Sequence, residues 1–142
     1  DVETDGEAPG DSSMLSIGVI ALDPVTFVTT GEFYRTLKRL PEARPRNATM
    51  EWWDHHPESW AATRAGASDP KEVMQALHNF VVEQGKTAKR SHAWEKGPVP
   101  VFVASPASFD FAFVYYYLHR SLLLDLYILF QTVRIVLTAR GS

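Results

Sequence analysis

Asp1-Val2-Glu3-Thr4-Asp5-Gly6 opens the chain. In extended backbone alternate side chains share a face, so Asp1 and Glu3 stand side by side while Val2 and Thr4 turn to the other face. Two carboxylates placed this way can hold a hard divalent cation. The Asp-x-Glu spacing is short enough to recur by chance, and an acidic terminus is usually just solvated. The pair gains weight from a third carboxylate, Asp110, in Ser105-Pro106-Ala107-Ser108-Phe109-Asp110. The fold turns on whether these two segments meet.

Working outward, Met14 to Leu22 is a nearly continuous apolar run that reads as a buried strand, broken by Asp23-Pro24. Thr26 to Thr30 and Glu32 to Leu37 are rich in β-branched and aromatic residues, with Gly31 between them. Residues 1–37 are thus expected to form an antiparallel meander with the carboxylate pair on its first strand. Asn47 is placed to cap a helix through Trp53, and Pro57 to start another. Asp69-Pro70 starts an amphipathic helix carrying Val73, Met74, Leu77, Phe80 and Val81, which Gly85 is expected to end before a basic loop from Lys86 to Gly97. Val99 to Ala104 reads as a further buried strand. A helix follows, capped by Ser105 or Ser108, with Asp110 in its first turn and Phe113, Val114, Tyr117 and Leu118 facing the sheet. From Ser121 the chain is apolar; a short strand with a buried helix fits it, and so does a partner interface.

Composition bounds the chemistry. A chain of 142 residues, 45% hydrophobic and 22% charged, is expected to form one domain spanning residues 1–142. The absence of cysteine excludes disulfides and thiolate zinc sites, so a metal would need carboxylate, histidine or carbonyl ligands. The net charge of −3 speaks against a strongly basic nucleic-acid coat, yet it hides an acidic block (Asp1, Glu3, Asp5, Glu7, Asp11) and a basic one (Arg35, Lys38, Arg39, Arg44, Arg46). An acidic pocket with a basic rim suits a metal-bound phosphodiester; two separate solvated faces fit the same counts. No apolar run reaches the roughly 20 residues of a membrane span, and no leader is apparent, so the expectation is a cytoplasmic protein without membrane contact. His55 and His56 are adjacent, a spacing at which helical side chains diverge, and His78 falls at a boundary position.

The order of these motifs resembles the DEDD 3′-to-5′ exonucleases of the ribonuclease H-like fold. Asp1-Val2-Glu3-Thr4-Asp5-Gly6 is similar to their first exonuclease motif and Ser108-Phe109-Asp110 to their second. Thr49-Met50-Glu51-Trp52-Trp53 and Met14-Leu15-Ser16-Ile17-Gly18 resemble segments of the branch containing phage exonuclease A and related bacterial exoribonucleases.

The resemblance implies an α/β architecture: a ribonuclease H-like mixed sheet flanked by helices, truncated at its C-terminal end. It implies a two-metal 3′-5′ exonuclease trimming single-stranded RNA or DNA, with Asp1, Glu3 and Asp110 as catalytic residues binding Mg²⁺ or Mn²⁺ ions roughly 4 Å apart. Large aromatics usually fill a core, a reading that weighs more on Trp53 and Trp60 than on Trp52, but Trp52 or Trp53 would stack on the terminal base. Thr4, within the first motif, is grouped with them as a substrate-binding candidate, although alternation gives its side chain a structural place. No His-x-x-x-x-Asp pair of the family's third motif follows Asp110. The general base is therefore unassigned and turnover is expected to be impaired, since general-base catalysis contributes about 10² to 10⁴-fold. The alternative is a non-catalytic nucleic-acid- or protein-binding module, or a homodimer, using the apolar segment after Ser121.

Overall fold

The computed structural model describes residues 1–93 and 95–120. The chain is α/β: strands β1 (Val2–Thr4), β2 (Met14–Leu22) and β3 (Thr29–Thr36), then helices α1 (Asn47–Asp54), α2 (Pro57–Arg64), α3 (Pro70–Ser91) and α4 (Ala107–His119). The described sheet is three-stranded and antiparallel, in the order β1-β2-β3. The expected meander is therefore present, but the mixed sheet is not seen among the described residues. The apolar segment from Ser121, with the interface expected of it, lies outside them.

In β1 the alternation holds: Val2 and Thr4 are buried and Glu3 is exposed. β2 is buried only through its first half, Met14 to Ile17, whereas Ile20 and Leu22 reach solvent. The rest of the expected meander is the single strand β3, which runs through Gly31 and starts at Thr29 rather than Thr26. Gly31 does not break it but pairs with Ala21, because α3 crosses closely there and a Cβ at Gly31 would meet Gln84 and Phe80 side chains. The turn is made instead by Asp23, whose carboxylate accepts bonds from the Val25 and Thr26 amides at 2.9 and 2.8 Å.

Pro57 and Pro70 occupy first helical turns as expected, and Asp69 caps α3 by accepting from the Lys71 amide at 2.9 Å. Asn47 is itself helical, and Arg46 stands at the cap without a side-chain bond. Gly85 does not end α3. The helix continues to Ser91, with Lys86 and Arg90 both paired to Glu83, so the first part of the expected basic loop is helical. An interior glycine costs a helix about 1 kcal/mol, too little to stop one held down by Val73, Met74 and Leu77.

Val99 to Ala104 is not a buried strand. Val99, Val101 and Val103 are 80–85% exposed and no ladder forms among the described residues. Pro98 and Pro100 lack the N–H groups a ladder uses, and β-branched composition alone supplies no partner. Pro106, rather than Ser105 or Ser108, precedes α4. The core gathers Val2, Met14, Ile17, Phe33 and Leu37 from the sheet, Leu40 from the following loop, Val73, Met74 and Leu77 from α3, and Phe113, Val114 and Tyr117 from α4. Its consequence for the site is that α4 lies directly against β1 and β2.

Candidate active site

Asp110 reaches the start of β1 because the apolar face of α4 packs on the sheet, which turns its first-turn carboxylate inward; it is 3% exposed. One Asp110 oxygen lies 3.9 Å from the terminal nitrogen of Asp1, which donates to the Gly18 carbonyl at 2.9 Å. Gly18 returns a bond from its amide to the Asp1 carbonyl, so the beginning of β1 is held in the ladder.

Glu3 belongs to the same site. Its carboxyl is raised above the ordinary carboxylate range, first by partial burial and then by the negative charge of Asp110, while the Asp1 ammonium pulls it down. Two acceptor-only groups thus repel each other at the start of β1. Among the described residues no three carboxylate or imidazole groups are gathered closely enough to hold a metal ion. Glu3 feels the charge of Asp110, and Asp110 in turn lies beside the Asp1 nitrogen. The oxygen donors are of the hard type that magnesium and manganese prefer.

The tryptophans divide. Trp53 is 3% exposed, and its indole nitrogen donates to the Thr4 carbonyl at 3.0 Å, tying α1 to the residue next to Glu3. It is a core residue rather than a free stacking platform. Trp52 is 51% exposed, stacked with His56 at 4.0 Å between ring centres. Thr4 is buried and its hydroxyl donates to the Gly6 carbonyl at 2.7 Å, so its side chain serves the turn after β1. His55 and His56 keep ring nitrogens 2.7 Å from the carbonyls of Glu51 and Trp52.

Sequence reasoning missed Asp5. It is wholly buried, accepting from the Ser13 amide at 2.5 Å and from Arg39 at 2.8 Å. Glu7 pairs with Arg46, and Glu42 with Arg120. The acidic and basic blocks therefore meet each other in part, instead of forming a pocket with a free basic rim. An acidic run conceals which member is buried; the small, turn-forming Gly6 after Asp5 was the available signal, since a Cβ there would collide with Ser12. Sequence reasoning put Tyr117 on the packed face but not its hydroxyl, which accepts from the Met14 amide at 2.8 Å.

No described helix is long and apolar enough to cross a membrane. Among curated proteins, none matches the chain. A family model does: that of the 3'-5' exoribonuclease Rv2179c-like domain aligns with residues 1–138, and the chain belongs to this family.

Proposed function

We propose that the chain is a metal-dependent 3′-5′ exonuclease that trims single-stranded RNA or DNA at the Glu3–Asp110 site. Membership of an exoribonuclease-like family supports a hydrolytic nuclease acting on nucleic acid. The observation that carries the metal reading is the coupling of Glu3 with Asp110: Glu3 is pushed toward its neutral form first by partial burial and then by the charge of Asp110, and a hard cation between them would relieve that repulsion. Glu3 and Asp110 would be the first ligands of Mg²⁺ or Mn²⁺, and Asp1, on the same strand face as Glu3, would complete the set only once the ion binds. When bound, such ions neutralise phosphate charge and lower the pKa of a coordinated water.

The chain's own residues then have separate tasks. Asp110 is held by the packing of α4 and Glu3 by the β1–β2 ladder, so the two carboxylates are presented on rigid elements. Trp52, exposed beside the buried Trp53, stacks on a base. Stacking suits a substrate read without regard to sequence, because every base offers a π face. Trp53 and Thr4 support the site from behind through their hydrogen bond.

The deciding assay is trimming of a 5′-labelled single-stranded oligonucleotide with Mn²⁺, read by gel. Shortening from the 3′ end that stops with EDTA and with Asp110→Asn or Glu3→Gln is expected. Unchanged trimming by both variants would remove the site from the reaction. Trp52→Ala is expected to weaken oligonucleotide binding by about 1–3 kcal/mol per stacked base, measured by fluorescence anisotropy.

A further inference from the structure

The Tyr117 hydroxyl is a buried polar group that the proposed reaction does not use. It sits 2% exposed between α4 and β2, accepting the Met14 amide at 2.8 Å. Met14 pairs with Thr4, at the far end of β1 from Asp1. Helix α4 therefore touches the sheet at two marked points: Asp110 beside Asp1, and Tyr117 beside the Met14–Thr4 pair.

The two spacings agree. Seven helical residues from Asp110 to Tyr117 rise about 10 Å at 1.5 Å each. Three strand residues from Asp1 to Thr4 also cover about 10 Å at 3.4 Å each. The helix thus runs alongside β1 in the same direction, and the end away from the carboxylates is fixed by a directional bond to backbone. Apolar packing of Phe113 and Val114 is not directional and would tolerate a small slide. A slide of one residue would carry Asp110 about 1.5 Å along the axis and about 100° around it.

We infer that Tyr117 is a positioning residue: its hydroxyl fixes the axial register of α4 on β1 and β2, and thereby where Asp110 meets Glu3. The inference rests on the metal-binding reading for its consequence but not for its geometry. Groups that orient metal ligands typically change metal affinity or activity by 10- to 100-fold when removed.

The test compares Tyr117→Phe, which keeps the ring, with Thr36→Val, which removes another buried hydroxyl, bonded to the Ala65 carbonyl at 2.8 Å and distant in sequence from the carboxylates. Both variants are expected to unfold cooperatively at somewhat lower temperature. In calorimetric titration with Mn²⁺, Tyr117→Phe should bind about 10-fold more weakly than the unaltered chain, and its kcat should fall with KM unchanged; Thr36→Val should retain both. A crystal structure of metal-free Tyr117→Phe should show Asp110 displaced from the Asp1 nitrogen. An undisplaced Asp110, or full Mn²⁺ affinity despite lowered stability, overturns the positioning role. If the unaltered chain binds no Mn²⁺, the metal reading fails by itself, and the crystal structure alone decides the register.

Discussion

The first strand and the segment from Val99 to Ala104 exchange the places their compositions suggest. Asp1 to Asp5 is mostly charged or polar, yet Val2, Thr4 and Asp5 are buried. Val99 to Val103 is almost wholly apolar, yet its valines stand in solvent. The difference lies in hydrogen-bond partners rather than in side-chain polarity. β1 has β2 to pair with, Ser13 and Arg39 to satisfy Asp5, and Trp53 to use the Thr4 carbonyl. The later segment contains Pro100, follows Pro98, and makes no ladder among the described residues. A buried polar group is tolerated when it is paired, whereas an apolar run is not buried merely because it is apolar.

The largest expected effect tests the paired half of that contrast. Asp5→Ala leaves the Ser13 amide and the Arg39 guanidinium without their acceptor in the interior. Breaking a buried pair in this way costs roughly 3–5 kcal/mol. The lower end applies, because Arg39 keeps 37% of its side chain exposed and can turn to water. Urea unfolding measures it, and a loss under about 1 kcal/mol would mean that Asp5 is no more than a solvated member of the acidic block.

A matched pair of valines isolates location from composition. Val2→Ala removes buried methyl groups and is expected to cost about 2 kcal/mol, whereas Val101→Ala should stay within about 0.5 kcal/mol. Similar losses at both sites, read from thermal unfolding, would show that the later segment packs in solution as tightly as β1.

These contrasts also mark what the sequence makes legible. Period-two alternation in β1, the apolar run of β2, the Asp69-Pro70 start of α3 and the inward face of α4 are local patterns, and each appears as an element. The failures are places where a distant partner decides. Gly85 is passed through because α3 is anchored on the core; Gly31 is paired because α3 crosses it; Val99 to Ala104 has no strand partner among the described residues, and its valines are exposed. Around the candidate site, the outward placing of Glu3 follows from alternation, and Asp110 stands in the first turn of α4 as expected. The burial of Asp5 and the bond made by Tyr117 are not legible, because each depends on a backbone group brought up from another part of the chain.

Acid probes the same rule away from β1. Asp23 is held well below the usual carboxylate range, first by the Thr26 amide and then by its bond to His92 at 2.6 Å. A lowered folded-state pKa means that the unfolded chain takes up this proton first. The stabilisation is therefore complete above the usual carboxylate range and lost as pH falls through and below it. Asp23→Asn should flatten that acid limb of a stability–pH curve; an unchanged limb would show that the turn does not depend on the charge.

The smallest effect concerns Glu3, the one member of the first strand that sequence and structure both place outward. Its folded-state pKa is raised, so the sign is opposite to that of Asp23: stability is complete below the usual carboxylate range and declines as pH rises through the raised value. At neutral pH the ionised Glu3 faces Asp110, and Glu3→Gln removes the repulsion while keeping the shape. The metal-free chain should gain stability, by less than about 1 kcal/mol because Glu3 is exposed and water screens it. With saturating Mn²⁺ the order should reverse, since a ligand that binds only the folded chain stabilises it and Gln is the poorer ligand. A Glu3→Gln chain less stable than the unaltered one without metal would mean that Glu3 makes a structural contribution like that of Asp5, and the contrast between the buried and the outward carboxylates of β1 would close.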